Sequence, residues 1–336
     1  MDILAFGEVM MRLMPPDYKL LTQSESLNFL YTGTGVNILS GLYQMGNNVY
    51  LATTLPDNNV GYAAAANLRK LGIRDDCILF KNDYLGIYFL EMGIGDRASR
   101  VTYMNRKDSS FAKSTIEDYE IENLLEGKSC LHLCGIALSM NENVRNLVYT
   151  FAKKAKEKKL KVIFDCNFRV SLWKEKDKEI AREEYEKILR LSDIVFAGEK
   201  DGELLLGIKA PEDLKENDKT KFILNSMRKK YNIDIIFGTK RRNKDKKQFL
   251  QGYLLDDHDF IISNEYELTI YDRVGAGDGF AAGAIHGILH NFDKKEIIEF
   301  ATCSGVLAHT TYGDSPLLGV EDIQRFMNNK HIDLIR

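Results

Sequence analysis

The sequence predicts an α/β protein: a mainly parallel sheet covered by helices on both faces, with a small antiparallel lid growing out of it. Three observations carry this. Short apolar runs without strict alternation recur along the chain, as in strands buried on both faces. Longer stretches of helical periodicity lie between them, and strands alternating with helices pair in parallel. Two regions, 8–33 and 84–106, break the rule: the second carries aromatic and β-branched segments around Gly93-Ile94-Gly95-Asp96, a hairpin signal.

In order, Ile3–Phe6 is the first core strand, and the first lid region follows it. A helix is predicted over Val36–Met45, a strand over Val49–Thr53 and a helix over Tyr62–Leu71, before the lid returns as Tyr84–Met92 and Arg100–Tyr103. Core strands then fall at Leu131–Cys134, Val162–Asp165, Ile194–Ala197 and Ile235–Phe237. The helices between them are Glu142–Lys158, Glu179–Leu191 and Lys219–Tyr231. The Lys/Asn-rich run Arg241–Lys247 reads as a solvated loop before a strand at Phe249–Leu254, and a late helix covers Ile297–Thr310.

A chain of 336 residues has ample core for one large domain or two smaller ones. Its 44% apolar and 28% charged residues are those of a globular protein, and a net charge of −3 gives no reason to expect nucleic acid. Cys77, Cys130, Cys134, Cys166 and Cys303 form no CxxC pair and several lie in apolar runs, so they read as reduced thiols in a cytoplasmic protein. Cys130 and Cys134 share a strand, but no partner set completes a zinc site. The N-terminus has no basic flank, so no signal peptide is expected, and no 18-residue apolar run suggests a membrane span.

The most informative stretch is Asp272-Arg273-Val274-Gly275-Ala276-Gly277-Asp278-Gly279-Phe280. Three small residues precede an aspartate at a helix start. Glycines let the backbone approach a ligand, and the first helical N–H groups, free of intrahelical partners, form an anion site. Asp278 in the first turn stands where it could take a proton from a hydroxyl beside that site. A phosphate hole next to a carboxylate base is a phosphotransferase arrangement; the plainer reading is a loop that packs a helix on a sheet. Neither the P-loop pattern nor a dinucleotide fingerprint after the first strand is present, and protein-kinase signatures are missing.

The stretch resembles the Asp-Thr-x-Gly-Ala-Gly-Asp-x-Phe signature of the PfkB (ribokinase-like) sugar kinases, with Arg273 where that family usually has threonine. Gly33-Thr34-Gly35-Val36-Asn37, followed by Gly41-Leu42, resembles the family's Gly-Gly-x-x-x-Asn segment, with Thr32 replacing the first glycine. Gly46, Gly61, Leu68, Leu71 and Gly72 fit the Leu-Gly…Gly…Leu-x-x-x-Gly run that follows. The resemblance implies a ribokinase-like three-layer α/β/α sandwich, one domain over 1–336, with the lid inserted at 8–33 and 84–106. It implies that Asp278 takes the proton of a primary hydroxyl while the amides of Gly275, Ala276 and Gly277 stabilise the transferring phosphoryl group.

A neutral sugar needs only hydroxyl partners, whereas a sugar acid needs a cation for its carboxylate. Asp165-Cys166-Asn167-Phe168-Arg169 with Leu172-Trp173 resembles the Asp-x-Asn-x-Arg-x-x-Leu-Trp segment of 2-keto-3-deoxygluconate kinases and fructokinases. Tyr88 with Tyr103-Met104-Asn105-Arg106 is similar to the keto-deoxygluconate branch. By that resemblance Gly33, Asn37, Tyr88, Arg106, Arg169 and Asp278 line the sugar site. The plainer readings are an exposed lid arginine for Arg106, lid packing for Tyr88, an ion pair with Asp165 for Arg169, and a core position for Trp173.

ATP chemistry implies Mg2+, and the family's Asn-x-x-Glu motif maps onto Gly198 and Asp201, neither of them the expected residue. Asp201 is the candidate metal residue; the ordinary reading is a helix cap. Gly238 and Thr239 resemble the family's nucleotide edge, which Gly275, Gly277 and Ser304 would complete. The tail Gly313-Asp314-Ser315-Pro316 matches Gly-Asp-x-Pro, and with the Asp272 loop it marks where the family often holds a monovalent cation. The expected activity is ATP-dependent phosphorylation of 2-keto-3-deoxygluconate at its terminal hydroxyl. The alternatives are a fructokinase or other neutral-sugar kinase, and a non-catalytic regulator on the same fold. A homodimer or higher homo-oligomer is the expected assembly, with the lid capped by a partner lid.

Overall fold

The strand β1 (Asp2–Phe6) shows how the sequence builds its layers: Ile3 and Ala5 pack to one side, Leu4 and Phe6 to the other, and all are fully buried. A strand apolar on both faces belongs at the centre of a sheet covered twice. The computed structural model describes residues 1–174 and 177–328. In it β1 lies between β4 (Asn48–Leu55) and β8 (Cys130–Cys134), parallel to both. Parallel pairing continues through β9 (Lys161–Asp165), β10 (Ile194–Phe196) and β11 (Ile235–Lys244). Antiparallel β12 (Lys247–Leu255), β13 (Phe260–Ile262) and β14 (Tyr266–Glu267) extend that side, and β5 (Ile78–Phe80) closes the other, making ten strands.

One face of this sheet carries α1 (Thr34–Gln44), α2 (Asn59–Lys70), α7 (Ala276–Leu289), α8 (Lys294–Ala308) and α9 (Val320–Met327). The other carries α3 (Ile121–Leu124), α4 (Glu142–Glu157), α5 (Lys178–Leu189) and α6 (Glu216–Tyr231). The glycines and alanines of α7 let it press against its neighbours: a Cβ on Gly283 would stand 2.9 Å from the Ala301 Cα, and one on Gly279 2.8 Å from the Ala308 Cβ. Helix α2 begins earlier than its apolar periodicity because Asn58 caps it, accepting from the amides of Val60 and Gly61 at 3.0 and 3.3 Å.

The lid is a separate four-stranded sheet: β3 (Asn28–Thr32), β2 (Met10–Met14), β6 (Gly86–Glu91) and β7 (Arg100–Met104), in that spatial order. Two antiparallel pairs, β2/β3 and β6/β7, are joined by a parallel contact between β2 and β6. Met10, Met14, Tyr88 and Leu90 form its inner face with Val274, while Phe29, Val101 and Met104 point to solvent.

The run Arg241–Lys247 is not a loop. Strand β11 continues to Lys244 and pairs with β12 down to Lys244 opposite Lys247, turning at Asp245 and Lys246. Those two have φ of +50° and +63°, the left-handed pair of a tight hairpin turn. Charged side chains on an exposed hairpin give no apolar alternation, and the turn lacks the glycine that usually announces it.

Candidate active site

Parallel α/β sheets place ligand crevices beyond the carboxyl ends of their strands, and here the residues following β8, β9 and β10 meet the lid and the start of α7. They enclose a cavity of about 510 Å3. Gly33, Asn37, Tyr88, Asp165, Arg169, Gly238, Thr239, Gly275, Gly277, Asp278 and Asp201 all reach its wall. Of the residues expected from sequence, Ala276, Ser304 and Arg106 do not.

The anion loop is built on steric exclusions. Gly275 caps α7 with φ +84°, and a Cβ there would stand 1.7 Å from the Asp314 carbonyl oxygen, so only glycine fits. A Cβ on Gly277, by contrast, meets no protein atom within 4 Å; its open side is the cavity. The first closed turn is Gly279 N–H to Gly275 O at 2.8 Å, which leaves the preceding amides free. On the sugar side a Cβ on Gly33 would meet the Glu8 carbonyl oxygen at 2.1 Å, and on the nucleotide side one on Gly238 would stand 2.3 Å from the Ala197 carbonyl oxygen.

Asp278 sits in the first turn of α7 and receives the Asn37 amide at 2.7 Å. Burial pushes its carboxyl up to about 7, against the Asn37 hydrogen bond that favours the carboxylate, with the Asp314 charge adding to the rise. Asp165, at the end of β9, is pushed to about 8 by burial and then by the charges of Asp278 and Asp201. Asp201 is raised to about 6 by burial, although its Oδ2 accepts from the Gly198 amide at 2.7 Å. Three carboxyls titrating around neutrality in one crevice mark a reaction centre. Among the described residues no group of three potential ligands is set to hold a metal by itself. The donor set suits Mg2+ carried by phosphate oxygens and water, with one or two carboxylates adding to them. Asp201 caps its own turn and also faces the cavity.

Arg169 is exposed to the cavity and bonds Asn167 Oδ1 at 3.2 Å; it makes no ion pair with Asp165 among the described residues. Trp173 packs on the core beside Tyr185. Arg106 is neither exposed nor on the cavity wall. It is 7% exposed, ion-paired with Glu8 at 2.8 Å, and lies 5.1 Å over the Tyr103 ring, which separates it from the main cavity. The pair is incompletely satisfied, for Arg106 Nη2 and Glu8 Oε1 are buried without a partner among the described residues. Ser304 donates to the Gly279 carbonyl oxygen at 2.7 Å, behind α7, where it holds α8 against α7.

A buried network that no motif advertised ties these parts together. Arg12, fully buried on the inner face of β2, bonds both Asp272 (Oδ2 at 3.0 Å) and Asp314. Asp314 also receives the hydroxyls of Tyr88 and Thr32, each at 2.7 Å. The Tyr88 phenol is driven far up by burial and by the Asp314 charge, so it stays a donor. Thr32, the departure from the family's first glycine, supplies one of these bonds. Arg12 is the one charged residue in the apolar run Met10–Met14, and nothing in the sequence names its partners.

A nucleotide-sized crevice at the strand ends, an anion loop opening a helix, and an aspartate held near neutrality define a phosphotransferase of the sugar kinase type. Comparison agrees: the chain matches the pfkB family of carbohydrate kinases over residues 1–238 and 245–318, and it belongs to that family. It is a carbohydrate kinase. The crystal structure of 2-dehydro-3-deoxygluconokinase from Thermotoga maritima superimposes with a TM-score of 0.92 at 35% identity, covering 98% of both chains. A protein provisionally assigned as a 2-keto-3-deoxygluconate kinase from Enterococcus faecalis gives 0.97 at 40% identity, covering 100% of this chain and 99% of that one. The 2-dehydro-3-deoxygluconokinase of Bacillus subtilis is 25% identical over 94% of this chain and 91% of its own. A provisionally assigned ribokinase from E. coli, solved with ATP and Mg2+, shares the fold at a TM-score of 0.83 and 18% identity.

Proposed function

We propose that this kinase transfers the γ-phosphoryl group of ATP to the terminal hydroxyl of 2-keto-3-deoxygluconate. The observation that carries the reading is Asp278, poised near neutrality where the anion loop meets the sugar side of the cavity. The acceptor's proton passes to Asp278, its oxygen bonds to the γ-phosphorus, and the bond from that phosphorus to the ADP oxygen breaks. The free amides at Gly275–Gly277 stabilise the charge on the transferring group.

The names of the relatives support a keto-deoxy acid as acceptor. Arg169, in the cavity with no carboxylate partner among the described residues, is suited to grip its carboxylate, and the spare Nη2 of Arg106 lies behind Tyr103 for the same purpose. The nucleotide's place is beside Gly238 and Thr239. Mg2+ bound with it supplies charge neutralisation, and Asp201 is the residue to hold its water shell. The five buried, unpaired thiols support a reducing compartment, the cytoplasm. Among the described residues no helix is long and apolar enough to cross a membrane. The exposed apolar side chains of the lid support pairing of two copies.

The test is ADP release from purified protein with ATP and Mg2+, comparing 2-keto-3-deoxygluconate, fructose and ribose. Preference for the keto-deoxy acid is the expected result. Preference for fructose or ribose overturns the substrate while leaving the role of Asp278, and ATP binding without turnover on any sugar overturns the catalytic reading.

A further inference from the structure

Asp272 and Asp314 stand on the two loops that bracket the start of α7, where the resemblance places a monovalent cation. Each of their carboxylate oxygens already accepts a hydrogen, and both carboxylates bond one cationic side chain. Asp272 Oδ1 accepts from the Val274 amide at 3.2 Å, and its Oδ2 accepts from Arg12 at 3.0 Å and the Gly313 amide at 3.3 Å. Asp314 Oδ1 accepts from Arg12, and its Oδ2 from Thr32 and Tyr88. Two carboxylates that already share the Arg12 guanidinium do not fit a second, bare cation, which would meet that fixed positive charge.

We infer that Arg12 is a built-in cation: its guanidinium takes the place of a monovalent ion between the two loops, so turnover of this kinase does not need K+. A guanidinium is permanently charged and its fork reaches two carboxylates at once, which a lysine ammonium or a hydrated ion does less well. Arg12 does not reach the cavity wall, so it is a positioning residue. It acts through Asp272, which holds the Val274 amide at the entrance of the anion loop, and through Asp314, whose backbone oxygen abuts Gly275. Because Arg12 comes from β2, the same contact fastens the lid to the loop. The inference rests on the carbohydrate kinase assignment and on no particular sugar.

The experiment uses the full chain in tetramethylammonium salts, with KCl replacing tetramethylammonium chloride at a constant ionic strength of about 0.15 M, so that screening does not change. Thermal midpoint and turnover with ATP, Mg2+ and the best acceptor are read across the series. Both are expected to stay flat. A K+-specific gain in turnover of roughly fivefold or more, the size of a true coupling, or a rise of the midpoint in KCl alone, overturns the inference. The midpoint series needs no substrate, so a wrong sugar cannot imitate that failure. Arg12→Ala is expected to lose about tenfold or more in kcat with a smaller change in KM, and to regain part of it with guanidinium or K+. Wild-type turnover in Arg12→Ala overturns the positioning role. If that variant does not fold, Arg12→Lys replaces it, and the wild-type K+ series decides on its own.

Discussion

Asn37, near the start of the first core helix, donates its side-chain amide to Asp278 at 2.7 Å across 241 positions of sequence. The bond selects the carboxylate form of a group that burial would otherwise neutralise, and it aims one oxygen while leaving the other free for an acceptor hydroxyl. Asp278→Asn is therefore expected to lower turnover by about two orders of magnitude or more, the usual worth of a positioned base. Stability should move the other way. The folded-state value of about 7 lies above the ordinary 3.8, so this group's contribution to stability is full below the ordinary value and lost as pH rises through 7. Above that pH the native state holds an unfavourable charge that asparagine lacks. The thermal midpoint of Asp278→Asn at pH 8 should equal or exceed that of the wild type, and a large drop would show that the carboxylate is structural.

Removing Asn37 tests the same bond from its other end. The amide lowers the Asp278 value, so Asn37→Ala should raise it, and the rising limb of kcat/KM against pH should move to higher pH. Turnover would then fall more at pH 6.5 than at pH 8.5. A uniform loss at every pH would mean that Asn37 only shapes the sugar pocket.

The two glycines flanking Ala276 should fail differently. Gly275 has a left-handed backbone and an Asp314 oxygen where a Cβ would go, so Gly275→Ala should cost about 1–3 kcal/mol or more of stability. Gly277 is helical with open space beside it, and alanine there should gain up to about 1 kcal/mol from helix propensity. Its methyl would stand in the cavity, so Gly277→Ala should fold well yet bind ATP poorly. Thermal melts beside nucleotide titrations separate the two, and normal ATP affinity in Gly277→Ala would remove the anion-loop role from that residue.

The contrast also shows what the sequence made legible. Local chemistry was readable: the doubly apolar strands, the glycines that only a close approach explains, and the aspartate opening an alanine-rich helix. Contacts spanning hundreds of residues were not. Arg12 belongs to no motif, and nothing near it announces Asp272 or Asp314. Asp165 reads as a partner for Arg169, yet the structure turns Arg169 to Asn167 and leaves Asp165 protonating near 8 among other carboxyls. Ser304 falls on the expected helix, but its face is set by the Gly279 packing contact, which periodicity alone does not fix.

Arg106 and Arg169 give the sharpest test of the acceptor, because the structure assigns them different risks. Arg106 is buried against Glu8, and truncating it leaves that carboxylate buried without its cation. Glu8 is already pushed up by burial and is held down chiefly by the Arg106 charge. Breaking such a pair costs about 3–5 kcal/mol, so Arg106→Ala would lose activity on any sugar simply by loosening the lid. Arg169 is exposed to the cavity, and among the described residues its side chain bonds only a neighbouring asparagine, so Arg169→Ala should leave the melt nearly unchanged. If Arg169 grips a carboxylate, that variant should raise KM for the keto-deoxy acid by roughly tenfold or more, the worth of a charge-assisted bond. Turnover of a neutral sugar, measured in parallel, should hardly change. Equal losses on acid and neutral acceptors would place Arg169 with the phosphates instead, and the acid specificity would then have to rest on Arg106, reached only if Tyr103 swings aside.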